Sequence, residues 1–196
     1  MLVLMWQMRK AKGSEIEQIG LDRALVMIER IPRTAFVLML PMGLELAANL
    51  GLFGLAGAGE FGIWVIGLLW LAVVWLQPRN LRSSAAVGLR AVQRVVMVVV
   101  ALVMAGSGIL SLLAGEPIAA SWLAGKFILY GIALLLTFGS EMFTQDLLYA
   151  IDPDERHQRP ALDDVLERAI APVTAFAILL YLCLATAAYL GVAQPG

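Results

Sequence analysis

The chain has 196 residues, of which 61% are apolar and 15% charged, with a mean hydropathy of +0.84 and a formal net charge of -1. An ordinary soluble domain is roughly 45–50% apolar and about 25% charged, so this composition excludes a soluble globular domain and fits a polytopic membrane protein. At about 20 residues per span the length holds five spans but no additional soluble domain, and nothing in it points to a nucleic-acid partner.

The chain opens with "MLVLMWQM", followed at once by the basic "RKAKG". That order suits the cytoplasmic end of a membrane helix, yet the apolar run is too short to cross a bilayer. A secretory signal carries its basic residues before the apolar run, not after it. The segment is therefore read either as an interfacial anchor or as the last turns of a helix that begins upstream of Met1. Next, Ser14 and Glu17 have the spacing of a capping box, and Leu21, Ala24, Leu25, Ile28 and Ile31 share one face at helical spacing. These residues predict an amphipathic helix on the cytoplasmic surface, ended by Pro32.

Five apolar stretches follow, at 34–57, 61–77, 95–114, 119–143 and 169–192. Each is near the length that crosses a hydrocarbon core of roughly 30 Å, and each must be helical because an open strand cannot satisfy its backbone in lipid. The fold class is all-α: a polytopic transmembrane bundle in one integral membrane domain, 1–196. Only "AGAGE" and "GEP" separate the first two and the middle two spans, which makes each pair a tight hairpin. Pro160 suits a first helical position before the last span, with Asp163 and Asp164 near the positive end of the helix dipole. Gly43 and Gly108 occupy similar places in the two hairpins, which Trp64 and Trp122 extend into a faint parallel repeat.

Orientation follows from the basic residues. Arg9, Lys10, Lys12, Arg23, Arg30 and Arg33 precede the first span, Arg79, Arg82, Arg90 and Arg94 lie between the second and third, and Arg156, Arg159 and Arg168 lie between the fourth and fifth. The connections on the opposite side have none. Basic residues in short loops stay in the cytoplasm, so the charged segments face inward and the C-terminus faces out. Trp64 and Trp122 on the outer side and Trp75 on the inner side fit an interfacial aromatic belt.

Glu45 and Lys126 stand out as ionisable groups within spans. Counted at 1.5 Å per residue from the ends assigned above, Glu45 lies about 18 Å and Lys126 about 10 Å below the outer ends of their helices. Charges in lipid are costly and usually pair, so the two are expected to meet inside the bundle. Asn49, Tyr130 and Ser107 lie at depths where they can join a polar pocket, and Pro41 frees the carbonyl of Val37 just below Glu45. The same residues also admit a purely structural reading, in which the pair fixes helix register, Lys126 snorkels outward, or Glu45 is protonated against a carbonyl.

Other chemistries are argued down. The single histidine, His157, is in a loop, and the single Cys183 gives neither a disulfide nor a metal-ligand spacing. Met39 and Met42, and Met97 and Met104, could bind a soft metal, but methionine is ordinary filling in apolar helices. No phosphate loop, nucleophile with a base, or carboxylate pair with metal spacing is present, so no catalytic residue, metal or cofactor is expected and the chain is not read as an enzyme.

The stretches "VVWLQPRNLR" and "GSGILSLLAGEPIAASWLAGKFILYGIALLL", with Trp122, Leu123 and Lys126 in a Trp-Leu-x-x-Lys pattern, resemble bacterial inner-membrane proteins of the copper-resistance-D type and their uncharacterised relatives. The resemblance covers about half the chain. It implies a small helical bundle in a bacterial plasma membrane. Members of those families carry a histidine in a first helix that these five spans lack, so what it implies is architecture more than a metal or haem role. Two functions are left: a non-enzymatic membrane component or accessory subunit, with a homo-oligomer or membrane-complex partner, and a small transporter or ion- or metal-handling protein that uses the polar pocket.

Overall fold

The computed structural model describes residues 15–52, 54, 57–76, 83–151 and 162–194, with side chains described from residue 30 to 144 and from 168 onward within those ranges. Residues 1–14, which include the apolar opening run at 1–8 and Ser14, lie outside them. Five helices carry the fold: α1 Glu15–Asn49, α2 Ala58–Trp75, α3 Ser84–Ala114, α4 Ser121–Ile151 and α5 Leu162–Ala193. Each contains a stretch long and apolar enough to cross a membrane, so the chain is an all-α, multi-pass membrane protein. The helices form where the sequence is apolar because lipid offers the backbone no other partner.

The helix ends differ from those that hydropathy suggests, and local capping explains the differences. α1 stops at Asn49, eight residues before the end of the apolar stretch at 57. Gly51 adopts a left-handed φ of 69°, its N–H donates to the Ala48 carbonyl (2.9 Å), and the Leu52 N–H donates to the Ala47 carbonyl (3.0 Å). That is a Schellman stop, which glycine makes without a Cβ penalty. At its other end α1 takes in the amphipathic segment and runs through Pro32 without a break. Membrane helices tolerate such prolines where nearby groups reorganise the hydrogen bonding; just beyond it the Thr34 hydroxyl donates to the Arg30 carbonyl (2.9 Å).

α3 begins at Ser84, not at 95, because Ser83 caps it: its hydroxyl accepts from the Ala86 N–H at 3.1 Å. Arg90 and Arg94 are therefore helical and not part of a connection. At the far end Gly115 is left-handed (φ 78°), and the Ser111 hydroxyl accepts from the buried Ile118 N–H at 3.2 Å while donating to the Ser107 carbonyl at 2.7 Å. Ser111 thus pins the short α3–α4 loop to the helix it follows.

α4 is the central helix. A third of its span is buried, as is a third of the α1 span, against 17% for α2 and 11% for α5. It packs on α3 through small residues: a Cβ at Gly131 would lie 2.6 Å from the Ala101 carbonyl oxygen, and one at Gly108 would lie 2.6 Å from that of Ala124. Small residues in membrane helices permit this close backbone approach. Gly43, which the faint repeat pairs with Gly108, is exposed and has no neighbour in reach of a Cβ. On its other side α4 meets α5, with Gly139 against the Phe176 ring and Gly125 against Leu190.

α1 and α2 form an antiparallel hairpin fastened along its length. The Trp75 indole donates to the Thr34 hydroxyl (3.1 Å) at one end, Pro41 sits against Gly67 in the middle, and the Trp64 indole donates to Glu45 Oε2 (2.8 Å) at the other. The bundle has two distinct ends. The short-loop end holds the α1–α2 and α3–α4 turns; the arginine end holds Arg30, Arg33, Arg90, Arg94 and Arg168.

Candidate functional site

Glu45 and Lys126, which the sequence pairs, have different partners. The early stop of α1 leaves Glu45 only four residues, about 6 Å, from its end, half-buried and turned toward α2, where Trp64 donates to it. The depth that makes a charge costly at the bilayer centre does not apply there. Lys126 lies on the opposite side of the hairpin, with its ammonium 5.3 Å from the centroid of the Trp122 ring, inside the roughly 6 Å range of a cation–π contact. The same ammonium occupies the space a side chain at Gly191 would take, close to the last turn of α5, whose negative dipole end favours a cation. No described carboxylate lies within ion-pair distance of Lys126.

The other polar residues singled out from sequence are also dispersed. Asn49 is exposed at the end of α1, and the Ser107 hydroxyl donates to the Met104 carbonyl of its own helix (3.0 Å). The Tyr130 hydroxyl reaches across from α4 to the Phe36 carbonyl of α1 (2.8 Å), with the two rings tilted at 6.4 Å. Only Lys126 and Tyr130 border a common space. It is a cleft of about 290 Å³ between α1 and α4, walled by apolar side chains including Leu40, Leu44, Met104 and Phe127, with Gly191 and Gln194 of the α5 end also lining it. Its volume is at the lower edge of the roughly 300–1,000 Å³ of small-molecule sites.

A second charged locus lies at the arginine end. Glu141 of α4, 4% exposed, faces Arg33 of α1 (Nη2 to Oε2, 3.4 Å) and Arg94 of α3 (Nε to Oε1, 3.8 Å). Arg90, Gln93 and Thr144 are buried nearby in sequence on the same helices. The distances exceed the 2.7–2.9 Å of a direct charge-assisted hydrogen bond, so Coulomb attraction, not hydrogen bonding, holds the three together. Two positive groups face one carboxylate, and the three belong to three helices: the arrangement ties α1, α3 and α4.

Sequence reasoning misses this locus although a signal was present. Glu141 falls inside the fourth apolar stretch, 119–143, but close enough to its end to pass for an interfacial charge. Its partners lie outside the stretches that hydropathy marks, because Ser83 starts α3 eleven residues early and α1 begins well before residue 34.

No cluster of three or more His, Cys, Asp or Glu side chains that could hold a metal occurs among the described residues. Met97 is core, 3% exposed, and accepts from the Gln93 amide (3.9 Å to sulfur), whereas Met42 is exposed. No protein-family model matches the chain, and neither a curated protein nor a solved structure matches it.

Proposed function

We propose that the chain is a non-enzymatic component of a bacterial plasma membrane, an accessory subunit and not a carrier, with its arginine end in the cytoplasm and Gln194 outside. The observation that supports this reading most is the use to which the helix carboxylates are put. Glu45 accepts from Trp64 of the neighbouring helix, and Glu141 is held between arginines of two others. Both fasten helices, whereas a carboxylate that passes ions has to exchange partners. The apolar outer faces of α2 and α5, whose spans are only 17% and 11% buried, leave room for helices of another subunit. The orientation is supported by the basic residues: of the 14 Lys and Arg, only Lys126 lies outside the three sequence segments before the first span, between the second and third spans, and between the fourth and fifth.

Reconstituted into sealed vesicles under an imposed gradient, the wild-type protein is expected to pass protons, sodium and potassium no faster than protein-free vesicles, with Glu45→Gln indistinguishable from it. A flux above background that Glu45→Gln abolishes, in protein that still unfolds cooperatively, would overturn the reading in favour of a transporter.

A further inference from the structure

Among the described residues, Lys126 is the single cation in the short-loop half of the bundle, and it borders the apolar cleft between α1 and α4. Its immediate surroundings among the described residues, an aromatic ring and a helix C-terminus, supply partial negative charge and no full counter-charge. An ammonium that borders an apolar wall and has no described carboxylate beside it is placed to attract an anion supplied from outside, since charges at membrane helices are commonly paired. The position suits one particular source. Lys126 is five residues into α4, about 7–8 Å along the helix, the depth at which headgroups meet acyl chains.

The walls of the cleft argue in the same direction. Its rim includes Met39, Leu46 and Leu50, all about half or more exposed, so the space opens sideways toward the bilayer. A small inorganic anion would gain from the ammonium alone and leave that apolar lining unused. An amphiphile gains from both, because its acyl chain makes dispersion contacts along the apolar lining while its headgroup meets the ammonium. Gly191 is part of the construction. A side chain there would collide with the ammonium and approach Cε to 3.1 Å, so the absence of one lets Lys126 lie at the mouth of the cleft.

We propose that this cleft binds one anionic phospholipid of the adjacent leaflet, with an acyl chain along α1 and α4 and its phosphate against the Lys126 ammonium. The lipid fills the groove between two helices that are otherwise joined by few direct contacts, notably Tyr130 to Phe36 and Glu141 to Arg33. This goes beyond the accessory-subunit reading and does not depend on it: a carrier could hold such a lipid equally well.

Native mass spectrometry of the purified full chain tests it, with phosphatidylglycerol, phosphatidylcholine of the same chains, and glycerol phosphate as probes. Wild-type protein is expected to retain one phosphatidylglycerol at least tenfold more tightly than phosphatidylcholine, and glycerol phosphate is expected not to bind. Lys126→Met should erase the preference and Lys126→Arg should keep it. Gly191→Leu, which leaves the charge in place but fills its seat, should reduce the preference severalfold. Equal retention of the two lipids by wild type, binding of glycerol phosphate as strong as that of the lipid, or an undiminished preference in Lys126→Met would each overturn the proposal. If Lys126→Met does not fold, the Gly191→Leu comparison decides, and an unchanged preference there counts against the site.

Discussion

Glu141→Ala is expected to lower the unfolding free energy by about 3 kcal/mol. The figure is the lower end of the roughly 3–5 kcal/mol seen when one partner of a buried ion pair is removed. Most of it comes from what is left behind. Arg33 has a side chain only 13% exposed and faces the emptied position, while Arg94, 33% exposed, can turn toward solvent and loses less. Membrane interiors do not make polar contacts intrinsically strong, since measured interhelical hydrogen bonds average about 0.6 kcal/mol. The cost of leaving a mostly buried guanidinium without its carboxylate, more than the lost attraction itself, sets the size of the effect. Glu45→Ala provides the contrast: it removes a half-buried carboxylate with one indole donor near a helix end and should cost about 1–1.5 kcal/mol. Thermal unfolding in detergent compares the two, and equal losses would contradict the assignment of burial.

Gly131→Ala is expected to destabilise by about 1–3 kcal/mol, as overpacking of a tight interior does. The added methyl would meet the Ala101 carbonyl oxygen at 2.6 Å, the Ala105 Cβ at 2.8 Å and the Ala105 N at 3.0 Å. Two of the three are backbone atoms, which no rotamer change can move aside, so α3 and α4 would have to separate along their whole contact. Gly106→Ala, on the facing helix but with nothing within 4 Å of the new methyl, is the matched control and should be neutral or stabilising by up to about 1 kcal/mol. The measurement is the difference in unfolding midpoint between the two variants. Comparable midpoints would mean that α3 and α4 do not approach as closely as described.

The five membrane helices were legible because their signal is long and redundant: a run of apolar residues survives an error of several residues at either end. Helix ends were not legible, because a few local bonds set them. Gly51 stops α1 while the sequence stays apolar to 57, and Ser83 starts α3 among residues polar enough to look like a loop. Everything that depended on depth inherited that error. Glu45, counted as about 18 Å inside its helix, is about 6 Å from its end, and the need for a cationic partner disappears with the depth. Lateral neighbours were not legible either. Opposite charges at similar heights on two helices do not say which faces meet, and Glu45 turned out to face α2 while Lys126 lies by α5. Lys126 itself was recognisable as unusual from sequence alone, and the structure shows why: it is the polar end of an apolar cleft.

That the carboxylates serve to fasten helices is tested most directly by a double-mutant cycle between Arg33 and Glu141, read as equilibrium unfolding of Arg33→Met, Glu141→Met and the double variant. Fastening by a buried pair predicts a coupling of about 1–3 kcal/mol, with the double variant losing clearly less than the sum of the two single variants, since Arg94 is then the one charge at the locus that has lost its carboxylate. Losses that simply add, to within about 0.5 kcal/mol, would mean that the two side chains do not hold α1 to α4.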